Sequence, residues 1–113
     1  MDANAATEHR DLQAWLRRRN GPLSETSYRL RRDVFRAGRD PENDLVIEGP
    51  DAAIVSSHHL EIRRTEKTFR LVDLDSTNGT YINDQRIRNG TLSSGDRLKI
   101  GRVEMTIDRQ DLS

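Results

Sequence analysis

The sequence predicts an all-β, antiparallel sandwich preceded by a short helix. From Ser27 onward apolar and polar residues alternate at period two, and turn-forming clusters cut this pattern into many short runs. No helical segment separates the runs, so neither a βαβ unit nor a nucleotide-binding α/β fold is indicated.

The elements follow in chain order. Residues 7–19, TEHRDLQAWLRRR, suit a helix with Leu12, Trp15 and Leu16 on one side at i, i+3 and i+4, and Asn20-Gly21-Pro22 supplies a stop. A helix this short is marginal alone, so Trp15 and Leu16 are expected to pack on the body that follows; the alternative is that the stripe docks on a partner. The chain therefore divides into a helical extension over 1–22 and the sandwich over 23–113. Strand pairs of inward residues come next: Tyr28 and Leu30, Phe35 and Ala37, Leu45 and Ile47, Leu60 and Ile62, and Phe69 and Leu71. Leu98 and Ile100, then Val103, Met105 and Ile107, complete the set. Turns are expected at Asp40-Pro41-Glu42-Asn43, Glu48-Gly49-Pro50-Asp51, Asp75 to Gly79, Asn89-Gly90 and Ser93-Ser94-Gly95-Asp96.

Composition narrows the function. The 113 residues allow one domain with one core. Nineteen Lys and Arg balance nineteen Asp and Glu, so the basic excess of a nucleic-acid binder is missing. With no cysteine there is no disulfide or thiol chemistry, and three histidines without a helical pair do not suggest a structural zinc site. No apolar run approaches the ~20 residues that span a bilayer, and the first residues, MDANAATEHRD, lack a secretory pattern. The expectation is a cytoplasmic protein without a cofactor.

Three loop segments are not explained by strand alternation. Gly38-Arg39 ends a strand; its glycine permits a close backbone approach and its guanidinium suits a phosphate, although a surface arginine is usually only solvated. Ser56 and Ser57, ahead of His58 and His59, offer hydroxyl and backbone donors to an anion, or satisfy their own turn. In Asp75-Ser76-Thr77-Asn78-Gly79, Asn78 and Gly79 tolerate positive φ; the Asn78 amide either braces the turn or meets a passing peptide backbone. An enzyme is not expected. Neighbouring Ser and His side chains alternate across a strand and do not converge, and no nucleophile elbow, Gly-rich phosphate loop or metal spacing is present.

In order and spacing, Gly38-Arg39, Ser56-Ser57-His58-His59 and Ser76-Thr77-Asn78-Gly79-Thr80-Tyr81-Ile82-Asn83 together resemble the forkhead-associated (FHA) family. Asn43-Asp44-Leu45-Val46-Ile47 and Gly95-Asp96-Arg97-Leu98-Lys99-Ile100-Gly101 add to the likeness, which runs from about 27 to 108. The resemblance implies an eleven-stranded twisted sandwich whose loops at one end bind a phosphothreonine segment of a kinase-phosphorylated partner. It implies that Arg39, Ser56 and Ser57 contact the phosphate, that Thr77 shapes the pocket, that Asn78 bonds the peptide main chain and that Asn83 supports the peptide on the far side. Gly38 and His59 fall at architectural positions. It also implies an apolar niche for the threonine γ-methyl, worth roughly 0.8 kcal/mol by area.

Position 57 departs from the basic residue or asparagine often found there. Ser57 carries no charge, which leaves Arg39 as the one assured cation and predicts modest affinity. The resemblance implies that the loop Gly49 to Val55 touches the residue three after the phosphothreonine, and its apolar composition here gives the expectation of an aliphatic preference. The alternative reading is a phosphate-independent scaffold or self-association module on the same fold, with the N-terminal helix as the surface for self-association.

Overall fold

The computed structural model describes residues 12–21, 26–65 and 68–111. Their strands are β1 (Leu12–Arg18), β2 (Ser27–Arg29), β3 (Val34–Gly38), β4 (Leu45–Val46), β5 (Leu60–Arg64), β6 (Phe69–Asp73), β7 (Thr80–Ile82), β8 (Gln85–Ile87), β9 (Asn89–Leu92), β10 (Arg97–Ile100) and β11 (Val103–Asp111). A six-stranded sheet runs β2-β1-β11-β10-β7-β8, and a five-stranded sheet runs β4-β3-β5-β6-β9. Every pairing is antiparallel except β3 with β4, which is parallel.

The core is the period-two set. Leu30, Phe35, Ala37, Leu45, Ile47, Leu60, Ile62, Phe69, Leu71, Leu98, Ile100, Val103, Met105 and Ile107 are all buried. Their intervening neighbours Arg36, Arg63, Arg70, Lys99 and Glu104 face water. Alternation places one side of each sheet against the other sheet, and burial of these side chains stabilises the sandwich by about 1.5–3 kcal/mol each.

The N-terminal helix is corrected. Residues 7–11 of that reading lie outside the described residues, and Leu12–Arg18 is a strand. It pairs with β11 from Leu12↔Asp111 to Arg18↔Met105, and with β2 at Trp15↔Arg29. Ala14, Leu16 and Arg18 turn inward, while Trp15 lies on the opposite face with the Arg29 guanidinium 5.9 Å from its ring. Two neighbouring strands satisfy this backbone on both sides, which a helix of such length could not match on its own. Trp15 and Leu16 therefore do not form one stripe, and the helical docking surface disappears with it. Gly21, at φ +78°, turns the chain out of the strand.

Two turns also differ from expectation. Asn89-Gly90 begins β9, with Gly90 opposite Leu71, and Gly49–Ile54 winds as a 3-10 helix instead of a simple turn. The β7–β8 hairpin closes on Asn83 and Asp84, both at positive φ (50° and 70°), the two-residue connection that Asn and Asp tolerate. Among the described residues no helix is long and apolar enough to cross a membrane.

Candidate functional site

The loops after β3, β4 and β6 meet at one end of the sandwich, around an open cleft of about 360 Å³. Arg39, Ala53, Ile54, Val55, Ser56, Ser57, Thr77 and Asn78 line it. Residues up to 39 positions apart in the chain are thus gathered on one concave surface, and five of the sequence-predicted positions are among them.

Each polar group is held by a neighbour from another loop. The Arg39 amide donates to the Ser56 carbonyl (3.0 Å) and the Asp40 amide to the Ser57 carbonyl (3.0 Å), so two loops run side by side. The Arg39 side chain is fixed twice: Nε donates to the Val55 carbonyl at 2.8 Å and Nη2 to the Ser57 hydroxyl at 3.2 Å. The Nη1 protons meet no acceptor among the described residues, and the side chain is exposed. The Ser56 hydroxyl accepts the Thr77 amide at 3.1 Å, which leaves its own proton available. The Asn78 amide donates to the Ile54 carbonyl at 3.1 Å, so it braces the neighbouring loop while its oxygen stays free of a protein donor among the described residues.

Beneath this surface stand the architectural positions. A β-carbon on Gly38 would lie 2.3 Å from the Ser57 carbonyl oxygen, so only glycine lets the two loops approach this closely. Gly79 has φ +89°, and a β-carbon there would strike Arg86 Nε at 2.6 Å. His59 is fully buried. Its Nδ1 takes the Ser56 backbone N–H at 3.1 Å, which puts the ring proton on Nε2, 2.9 Å from the Gly79 carbonyl. One neutral imidazole thus joins the Ser56 loop to the Asn78 turn. Burial lowers its pKa below 6.5; the Gly79 carbonyl and the Asp73 charge oppose that only in part.

Asn83 is not brought to the cleft. Its amide nitrogen donates to Asp96 at 3.0 Å and its oxygen accepts the Arg97 amide at 2.9 Å, so the side chain braces the β7–β8 turn against the start of β10. His58 is exposed, with Nε2 3.9 Å from Asp40.

Sequence reasoning missed two supports. Asn43 is buried and donates through one nitrogen to the carbonyls of Asp40 (2.9 Å) and Ser57 (2.8 Å), clasping the Arg39 loop to the serines. Asp73 accepts both the Ser76 and the Thr80 hydroxyls at 2.6 Å, and the Ser76 hydroxyl accepts the Gly79 amide, which shapes the Asn78 turn. Burial alone would raise the Asp73 pKa, but these hydrogen bonds outweigh it and hold the carboxyl below its usual range. Ile54 is the exposed large hydrophobic residue of the described chain, at 37%. An Asp ending a strand shortly before Ser-Thr-Asn-Gly was the available signal for the second support; Asn43 stood in a turn and in the family-like stretch, but nothing there signalled a buried side chain clasping two loops.

Comparison with known proteins follows the same loops. A model of the FHA domain matches residues 35–101. The oxoglutarate dehydrogenase inhibitor of Corynebacterium diphtheriae is 38% identical over 87 residues, covering 77% of this chain and 59% of that protein. Mycobacterium tuberculosis EmbR, solved in complex with a low-affinity phosphopeptide, shares 30% identity at a TM-score of 0.79 over 96% of this chain and 29% of that one. An FHA structure from a study of phosphothreonine-dependent FHA domain interactions shares 31% identity at a TM-score of 0.76, over 85% and 95% of the two chains. The chain spans 52–59% of the length of the curated relatives it matches. With 59% of its residues inside the family match and the same sandwich around them, the chain belongs to the FHA domain family.

Proposed function

We propose that this end of the sandwich reads phosphothreonine on a partner protein phosphorylated by a Ser/Thr kinase, and that it does so by binding alone. The observation that carries the reading is the shared cleft of Arg39, Ser56, Ser57, Thr77 and Asn78. A phosphate brings about −1.5 to −2 charges and three acceptor oxygens. Arg39, already oriented by the Val55 carbonyl and the Ser57 hydroxyl, offers its remaining N–H groups without first having to be ordered. Ser56 and Ser57 each accept a bond inside the protein and keep a hydroxyl proton to donate. Thr77 stands beside the phosphate position, and Asn78 faces the peptide main chain. Ala53 and Ile54 on the cleft wall favour an aliphatic residue following the phosphothreonine.

The imidazole of His59 accepts from the Ser56 amide, not from a serine hydroxyl, so this ring is not placed as a base for a serine nucleophile. Titration calorimetry with one threonine peptide in phosphorylated and plain forms tests the proposal. Arg39→Ala should weaken phosphopeptide binding about 100-fold, two charge-assisted bonds being lost, and Ser56→Ala about tenfold. Equal affinity for the plain peptide would overturn it.

A further inference from the structure

We infer that Arg18, outside the family-matched segment, is a positioning residue for this cleft: its ion pair with Asp51 fixes the turn that presents Ile54 and Val55, and with it the selectivity for residues after the phosphothreonine. The inference rests on the phosphothreonine reading and deepens it.

Arg18 ends β1 with its side chain almost wholly buried, which is costly for a guanidinium unless it is paired. It is paired. Nη2 meets Asp51 Oδ2 at 2.5 Å, and Nε donates to the Asn20 carbonyl at 3.2 Å. Gly21 folds directly over the guanidinium, where a β-carbon would sit 3.2 Å from Nη2. Asp51 belongs to the 3-10 helix Gly49–Ile54, which has no side-chain cap at its start. The ion pair is therefore a tie between that helix and the sheet.

A second tie adjoins it. Asn20 donates to the Arg102 carbonyl at 2.8 Å and accepts the Glu104 amide at 3.1 Å, which fixes the β10–β11 turn. Gly101 of that turn packs so closely on Val55 and Ile54 that a β-carbon would come within 2.9 Å of Val55 Cγ2. Residues 18–21 thus form a buckle that holds the 3-10 helix from one side and its backing turn from the other. The carbonyls released at the end of the helix are those of Ile54 and Val55, and they orient Asn78 and Arg39. From Arg18 to the cleft there is a continuous series of polar and packing contacts.

The test removes both charges together, because a lone buried charge would unfold the domain for unrelated reasons. Arg18→Met with Asp51→Asn should keep a cooperative thermal transition. Against phosphothreonine peptides differing only at the third following residue, the wild-type preference between aliphatic and acidic should shrink about five- to tenfold in this variant, while phosphate dependence persists. A folded double variant with unchanged preference overturns the inference. If wild type shows no phosphate-dependent binding, the phosphothreonine reading fails by itself, and amide exchange decides on the buckle. The Val55 N–H, bonded to the Ala52 carbonyl at 3.1 Å, should exchange faster in the double variant; unchanged exchange overturns the tie.

Discussion

At Gly38 a β-carbon would stand 2.3 Å from one carbonyl oxygen and 2.9 Å from another, both in the backbone of the serine pair, so neither can swing aside as a side chain would. Gly38→Ala should push the Ser56-Ser57 segment off the Arg39 loop. We expect a loss of about 1–3 kcal/mol in denaturant stability, with phosphopeptide affinity falling at least tenfold. Near-wild-type values for both would show that the loops can separate without consequence. The residue scale is also where the sequence was most informative about the site. Taken singly, Arg39, Ser56, Ser57 and Asn78 each allowed a plain structural account; the FHA resemblance singled them out together with Thr77, and the five line one cleft. Asn83 was read from its place in a motif, yet its amide serves Asp96 and Arg97. An Asn-Asp pair between Ile82 and Gln85 also signals a two-residue hairpin, and that signal was overlooked.

Strand β1 shows how an element escapes local reading. LQAWLRR fits a helical stripe and a strand alternation about equally well, and what decides between them is β11, with partners ninety or so positions away in the chain. Strands β2 to β6, β10 and β11 were legible because each alternation is bounded by turn chemistry and needs no distant partner to specify its faces, whereas the short β7, β8 and β9 were not read as strands. If β1 is a strand, its two central apolar residues differ in kind. Leu16 is fully buried in the core, whereas Trp15 is half-buried beside Arg29 on the outer face. Leu16→Ala should cost about 2–5 kcal/mol and Trp15→Ala distinctly less, measured by urea unfolding. Equal losses would restore the single helical stripe.

For the whole molecule, acid stability follows from groups buried in one protonation state. His59 has a lowered folded-state pKa, so at neutral pH both folded and unfolded forms are uncharged there. As pH falls through about 6.5 the unfolded chain binds a proton that the native ring refuses, and stability declines until the lower native pKa is reached. Asp73, held low by Ser76 and Thr80 against its burial, and Glu61, held low first by the Arg63 hydrogen bond, act in the opposite range. Their contributions are present above the ordinary carboxylate pKa and fade as pH drops through their depressed native values. Urea midpoints should therefore decline in two stages between about pH 7 and pH 3, and a profile flat down to about pH 5 would contradict the neutral, buried His59. The pairing of Leu12 with Asp111 has a further effect on how such a domain can be wired. Arg18 lies at the cleft end of the sandwich, and Leu12 sits six residues back along an extended strand, roughly 20 Å away. The two ends of the described chain consequently lie side by side, at the far end of β1 and β11 from the cleft.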